Sequence, residues 1–133
     1  MLKVELVSSP SEILKLYSFK RFDDGSGYRA VVDVVSGCFS CTKKELYFDD
    51  IKQFYNDLNN GYDNLSGEAL LKCRYEEDQI KFIFNTKGHV VVSGVFHEYA
   101  DNPQLLEFYF KTDQTYFPAF LKQIKKVIDE IHN

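Results

Sequence analysis

The sequence of 133 residues contains no tryptophan, one methionine and three cysteines. Its longest apolar candidate, residues 90–96, is far shorter than the roughly 18 apolar residues of a membrane-spanning helix. The first residues lack the apolar core and cleavage site of a signal peptide, so a cytoplasmic protein without a membrane partner is expected. An odd number of cysteines in such a chain indicates reduced thiols rather than a disulfide framework.

The chain also lacks an excess of basic residues. It has 16 Lys and Arg against 20 Asp and Glu, which gives a net charge of -4. Nucleic-acid-binding domains usually carry a basic footprint, so no nucleic-acid partner is expected. The hydrophobic share of 44% is ordinary for a globular protein. Without a repeat or linker, the length predicts one domain over residues 1–133.

Recognisable catalytic and ligand-binding motifs are absent from the sequence. There is no nucleophile-elbow, phosphate-loop or dinucleotide glycine pattern. Cys38 and Cys41 form a C-x-x-C, but they fall in a predicted strand, where residues three apart point to opposite faces. His89 and His97 would lie roughly 26 Å apart along a regular strand, too far to share a metal. The sequence therefore predicts no catalytic residue, no cofactor and no metal site.

Eight segments have strand character, and the short loops between them favour antiparallel neighbours. They are residues 3–7, 13–19, 28–35, 38–46, 68–75, 79–86, 89–99 and 105–111.

Two segments have helical periodicity instead. Residues 49–60 carry an apolar stripe, with Asp49 or Asp50 as the N-terminal cap and Gly61 as the C-terminal residue. A longer stripe follows the cap predicted at Thr112-Asp113 and forms an amphipathic helix that must pack on the sheet. The predicted fold is α+β: an antiparallel sheet of about seven or eight strands, strongly bent or sandwiched, with a middle helix and a C-terminal amphipathic helix.

Charge is unevenly distributed along the chain. Residues 45–78 contain nine acidic and three basic residues, a net charge of −6, whereas the remainder has 11 acidic and 13 basic residues, a net charge of +2. This segment is either an ordinary solvated surface or a docking surface for a basic protein, since complementary charge speeds encounter and selects partners. The candidate partner-binding residues are Glu45, Asp49, Asp50, Asp57, Asp63, Glu76, Glu77 and Asp78.

Two further readings of this segment remain open. Tyr47 and Tyr62 are interface anchors if they are exposed and core residues if they are not. Residues 76–78 are three adjacent carboxylates, for which a solvated turn is favoured over acid–base chemistry.

The segment from residue 88 to residue 120 contains GHVVVSG at 88–94, LEFYFKTDQTY at 106–116 and Phe120 in the amphipathic tail. This segment resembles the WapI-like family of small bacterial immunity proteins, and the resemblance extends loosely over most of the chain. It implies a non-catalytic protein that binds and blocks a cognate toxin, often a nuclease, inside the cell that makes the toxin.

Two other functions compete with this one. The 12 Phe and 9 Tyr residues could line a pocket between sheet and helices in a small-ligand-binding, β-barrel-like protein or a weak enzyme. His97 beside Glu98 or Asp33 in a cleft would favour that alternative. The third is a homo-oligomeric module that pairs through an exposed edge strand.

Overall fold

The computed structural model describes residues 2–73 and 77–132 and contains two antiparallel four-stranded sheets. The strand orders are β1-β2-β3-β4 and β5-β6-β7-β8, so each sheet is a meander of consecutive hairpins. The predicted α+β fold, with eight antiparallel strands, a middle helix and a C-terminal helix, is confirmed. In chain order the elements are β1 (Lys3–Ser9), β2 (Glu12–Arg21), β3 (Tyr28–Ser36), β4 (Phe39–Phe48), α1 (Ile51–Asn64), β5 (Glu68–Lys72), β6 (Gln79–Phe84), β7 (His89–Glu98), β8 (Gln104–Asp113), a 3₁₀ turn (Gln114–Tyr116) and α2 (Phe117–Ile131).

The two sheets and both helices share one hydrophobic core. Alternation along each strand sends one set of side chains inward, as in β6, where Ile80, Phe82 and Phe84 are all buried. Helix α1 packs on β5 and β6, and α2 packs on α1, β1 and β2. The outer edge of β1 is covered as well, because the Glu5 N–H donates to Gln123 Oε1 of α2 at 2.7 Å.

The core is densely filled, and the sheets do not close into a barrel. A void between the first sheet and the helices, lined by residues such as Leu16, Phe48 and Ile124, measures about 10 Å³. That volume is at the lower limit for one water molecule and too small for an organic ligand. The expectation of a closed, β-barrel-like sheet is therefore wrong, and the phenylalanines that line this void, Phe19, Phe48 and Phe54, belong to the packed core.

Helix α1 begins as predicted and ends later than predicted. Asp50 is its N-cap and accepts a hydrogen bond from the Gln53 N–H at 3.0 Å. The prediction that Gly61 ends the helix is wrong, because α1 continues to Asn64 and the left-handed residue is Leu65, with φ of 51°. Gly61 is instead a buried position inside the helix, where a Cβ atom would lie 2.2 Å from the ring of Phe84. The glycine permits close packing of α1 on β6.

We expect Gly61→Ala to destabilise the protein although alanine is the better helix former. Overpacking against Phe84 should cost about 1–3 kcal/mol, which outweighs a gain in helix propensity of roughly 1 kcal/mol. Urea denaturation followed by circular dichroism measures the difference. Asn60→Ala at the exposed neighbouring position is the matched control and should be neutral or stabilising. A stabilised Gly61→Ala variant would show that the ring of Phe84 has room to move.

Within the described residues, neither helix is long and apolar enough to cross a membrane.

Candidate partner-binding surface

The candidate acidic residues occupy two separate regions instead of one face. Asp49, Asp50, Asp57 and Asp63 lie on α1 or immediately before it, whereas Glu45 lies on β4 in the lining of a groove and Glu77 lies against His97 near the end of β7. Glu76 lies outside the described residues. The acidic segment of the sequence is thus divided in space.

The acidic residues of α1 do not form a single stripe. Asp57 and Asp63 are six residues apart, which separates them by about 120° around the helix axis. Asp50 is engaged as the N-cap, and Asp57 accepts a hydrogen bond from Gln53 Nε2 at 2.9 Å. This region offers dispersed negative charge and no converging set of carboxylates.

Glu45 lies on the outer side of β4 and forms an ion pair with Arg29 on β3. Tyr47 OH also donates to Glu45, at 3.3 Å. The hydrogen bond and charge of Arg29 lower the pKa of the Glu45 carboxyl. Glu45 is therefore exposed and ionised, with part of its charge balanced by Arg29.

Asp78 is fully buried. The prediction that it is a solvated carboxylate in a turn is therefore wrong. Its Oδ1 accepts the backbone N–H of His97 at 2.7 Å and lies 3.0 Å from His97 Nδ1. Its Oδ2 is 2.9 Å from Lys44 Nζ. Asp78 directly precedes β6, and the backbone pairing of β6 with β7 ends at Gln79 and Val95. Beyond that point the Asp78 side chain, instead of a backbone oxygen of β6, accepts the hydrogen bond from the His97 N–H. The partners supplied by β4 and β7 are what make its burial possible.

The electrostatics of Asp78 follow from that arrangement. Burial raises the pKa of the carboxyl, but hydrogen bonds from Lys44 and from the backbone and ring of His97 outweigh it and lower the pKa overall. Lys44 Nζ also donates to the backbone oxygen of His97. We call Lys44, Asp78 and His97 the polar tie, because they join β4 of one sheet to β7 of the other.

A bulge in β4 positions Lys44. The β3–β4 register shifts between Val32 and Val34, and Lys43 has a left-handed φ of 59°. The Lys43 N–H donates to Asp33 Oδ1 at 2.8 Å. Beyond the bulge, Lys44 is on the same side of β4 as the buried Leu46 and Phe48, and so faces inward.

An open groove of about 700 Å³ lies above the polar tie, between β4 and the ends of β7 and β8. Its lining includes Cys41, Tyr47, His97, Glu98 and Leu105. The side chains of Tyr47 and Leu105 are 43% and 57% exposed. This groove brings together residues of both sheets at the protein surface.

Two residues extend the rim of the groove. The ring of Tyr99 stacks on His97 with centroids 5.4 Å apart and is 62% exposed. Glu77 Oε2 lies 3.8 Å from His97 Nε2.

Of the two tyrosines in the acidic segment, Tyr47 has the exposure expected of an interface anchor, whereas Tyr62 is half-buried and stacks on Phe117 in the core.

His97 and Glu98 do share a cleft, which is the feature that would favour an enzyme, but the groups around them are engaged structurally. Asp78 holds His97 and is itself paired with Lys44. Burial is the main cause that raises the pKa of the half-buried Cys41 thiol, which keeps it protonated and a poor nucleophile. Among residues 2–73 and 77–132, no three His, Cys, Asp or Glu side chains converge as a metal site would require.

Sequence reasoning missed most of the groove. Lys44 and Leu105 are not part of any sequence motif. Tyr99 lies near the end of a strand, and no local sequence pattern marks it as a surface or binding residue.

The sequence singles out Glu45, Tyr47, His97 and Glu98 individually, but no local pattern places them around one groove. Nor does the sequence identify Asp78, 19 residues before His97, as the hydrogen-bond partner of that histidine.

The model of the immunity protein WapI-like family matches residues 12–132. No curated protein and no solved structure has significant similarity to the chain.

Proposed function

The chain belongs to the WapI-like family of immunity proteins, and we propose that it binds a cognate bacterial toxin and neutralises it by physical blockade. The observation that carries this proposal is the extent of the family match, residues 12–132 of 133, which covers both helices and every strand from β2 to β8. The proposed site of action is the cytoplasm, because the toxin must be blocked within the cell that makes it.

The chemistry of the groove supports a binding role without catalysis. Asp78 is committed to Lys44 and His97, and burial raises the pKa of the Cys41 thiol. A general base or nucleophile needs a pKa matched to proton transfer and a free line of approach. The polar groups at the base of the groove instead have the contacts of a structural tie.

The proposed partner is a basic toxin domain, with a nuclease as the favoured class. Nucleases commonly present basic clefts to bind phosphates, and carboxylates can occupy such clefts. Asp49, Asp50, Asp57 and Asp63 are dispersed around α1, which suits long-range attraction better than tight contact. In this proposal they accelerate encounter, together with Glu45, Glu77 and, on sequence grounds, Glu76. Asp78 has no direct role because it is buried.

Co-expression with the product of the adjacent upstream gene, which the proposal expects to be a toxin, tests the proposal. We expect the two proteins to co-purify as a complex that persists in size-exclusion chromatography at micromolar concentration, and we expect the toxin activity to fall in proportion to complex formation. An unrelated toxin of similar charge is the control for non-specific attraction. Absence of a complex, or a complex that leaves toxicity unchanged, would overturn the proposed function.

A further inference from the structure

We infer that the groove between β4 and the ends of β7 and β8 is the docking surface for the partner, and that it takes a protein segment presenting an arginine beside an apolar side chain. This inference rests on the proposed function and identifies the contact surface that the function requires.

Large apolar side chains are exposed around the groove. Tyr47, Tyr99 and Leu105 are 43%, 62% and 57% exposed, and all three lie at or on the rim described above. Interfaces concentrate their binding energy in a few aromatic and apolar anchors that become desolvated in the complex. The rim therefore provides anchors for a partner side chain of similar apolar character.

The carboxylates of the groove indicate which charge a partner group should carry. Asp78 is balanced by Lys44 and Glu45 by Arg29. Glu77 and Glu98 are exposed, and neither has a lysine or arginine within ion-pairing distance in the described parts of the chain. Lys43 is on the β4 wall, whereas these two carboxylates are on the β7 side. A cation on the partner would thus be attracted to the β7 side of the groove.

Arginine fits that position better than lysine. A guanidinium group stacks on an aromatic ring while it forms paired hydrogen bonds to carboxylates. Tyr99 stacks on the His97 ring and is exposed, and Glu77 lies against the same imidazole, 3.8 Å from Nε2. A planar cation placed at His97 would therefore meet an aromatic ring and a carboxylate, with the Glu98 carboxylate in the lining of the same groove.

The groove is also held in shape before binding. The polar tie fixes β4 against β7 from below, which reduces the ordering cost of association. The bulge at Lys43 and the lysine itself discourage the addition of a strand to the β4 edge. The partner segment is accordingly recognised through its side chains and not by extension of the sheet.

Binding kinetics with the cognate toxin test this surface. Tyr99→Ala is expected to raise Kd by about 30-fold, the effect of removing one hot-spot residue, mainly through faster dissociation. The double variant Glu77→Gln with Glu98→Gln should raise Kd by about 10-fold and reduce its salt dependence. Thermal unfolding of each variant establishes that the fold is intact.

Two matched controls separate the groove from the rest of the surface. Tyr109→Ala removes a tyrosine of similar exposure, 57%, from the outer side of β8, and should change Kd by less than about twofold. Asp57→Asn with Asp63→Asn removes two carboxylates from α1 and should slow association without changing dissociation.

The outcomes distinguish the inference from the proposed function. If the wild-type complex forms and both the Tyr99 variant and the Glu77/Glu98 variant bind with the wild-type Kd, the groove is not the docking surface. The toxin-binding function would still hold in that case. Loss of binding in Tyr109→Ala alone would move the interface to the outer face of β8 and also overturn it. Failure of the wild-type protein to bind its toxin would overturn the function and, with it, this surface.

Discussion

Replacement of Asp78 by alanine should lower the free energy of unfolding by about 3–5 kcal/mol, the usual effect of removing one partner from a buried ion pair. The Asp78 side chain is fully buried, and its partner Lys44 is only 19% exposed. The substitution removes the carboxylate that balances the charge of the Lys44 ammonium group and that accepts the hydrogen bond of the His97 N–H. Urea denaturation at pH 7, followed by far-ultraviolet circular dichroism, measures the loss.

Two controls identify the cause of that loss. Asp78→Asn retains an oxygen for the His97 N–H but removes the charge that faces Lys44, so its stability should lie between wild type and Asp78→Ala. Asp129→Ala breaks an exposed i,i+4 ion pair with Lys125, which should change stability by less than about 1 kcal/mol. An Asp78→Ala variant that is no less stable than Asp129→Ala would contradict the structural role of the tie.

The pH dependence of stability gives a second measurement of the same group. The folded-state pKa of Asp78 is below the ordinary value of 3.8, so the unfolded chain binds the proton more readily. The stabilisation is therefore present above pH 3.8 and is lost as the pH falls through the lower folded-state pKa. Asp78→Asn should show a shallower loss of stability with acidification than the wild-type protein.

Local signals were sufficient to predict most of the secondary structure. Alternation of Ile80, Phe82 and Phe84 identified β6 and its buried face, because a strand has a period of two residues. The helical spacing beginning at Ile51, preceded by Asp50, identified α1 and its cap. These features depend on neighbours in the sequence, so the sequence alone contains the necessary information.

Features that depend on distant residues were not predicted. Gly61 is a typical helix-ending residue, yet its role is set by Phe84, which is 23 residues later in the sequence and packs against it. Asp78 belongs to a run of acidic residues that usually remains solvated, yet Lys44 and His97 surround it from two other strands. Burial of a polar group depends on the tertiary partners available to it, and the local pattern does not identify them.

Only part of the candidate site could be predicted from the sequence. A count of charge along residues 45–78 identified Glu45 and Glu77, but it could not separate the residues around α1 from those near the groove. Glu98 lies outside that segment and still joins Glu77 on the β7 side of the groove. The folded chain, and not the sequence segment, defines which carboxylates can act on one partner group.

The second large effect is expected in the aromatic core. Phe117→Ala should lower the free energy of unfolding by about 3–5 kcal/mol, the range for buried phenylalanine truncations. Phe117 is fully buried, and its ring contacts join α2 to α1 and β6. The centroid distances are 5.4 Å to Phe84, 5.5 Å to Phe120, 6.0 Å to Phe82 and 6.3 Å to Tyr62.

The preceding residue provides the matched control for this prediction. Tyr116→Ala removes an aromatic side chain that is 41% exposed, and its effect should be within about 0.5 kcal/mol. Equal stability of the two variants would contradict the importance of the Phe117 contacts. None of the four rings in contact with Phe117 lines the groove, so folded Phe117→Ala protein should retain the toxin affinity. A weakened core with intact binding would separate the residues that hold the fold together from those proposed to recognise the partner.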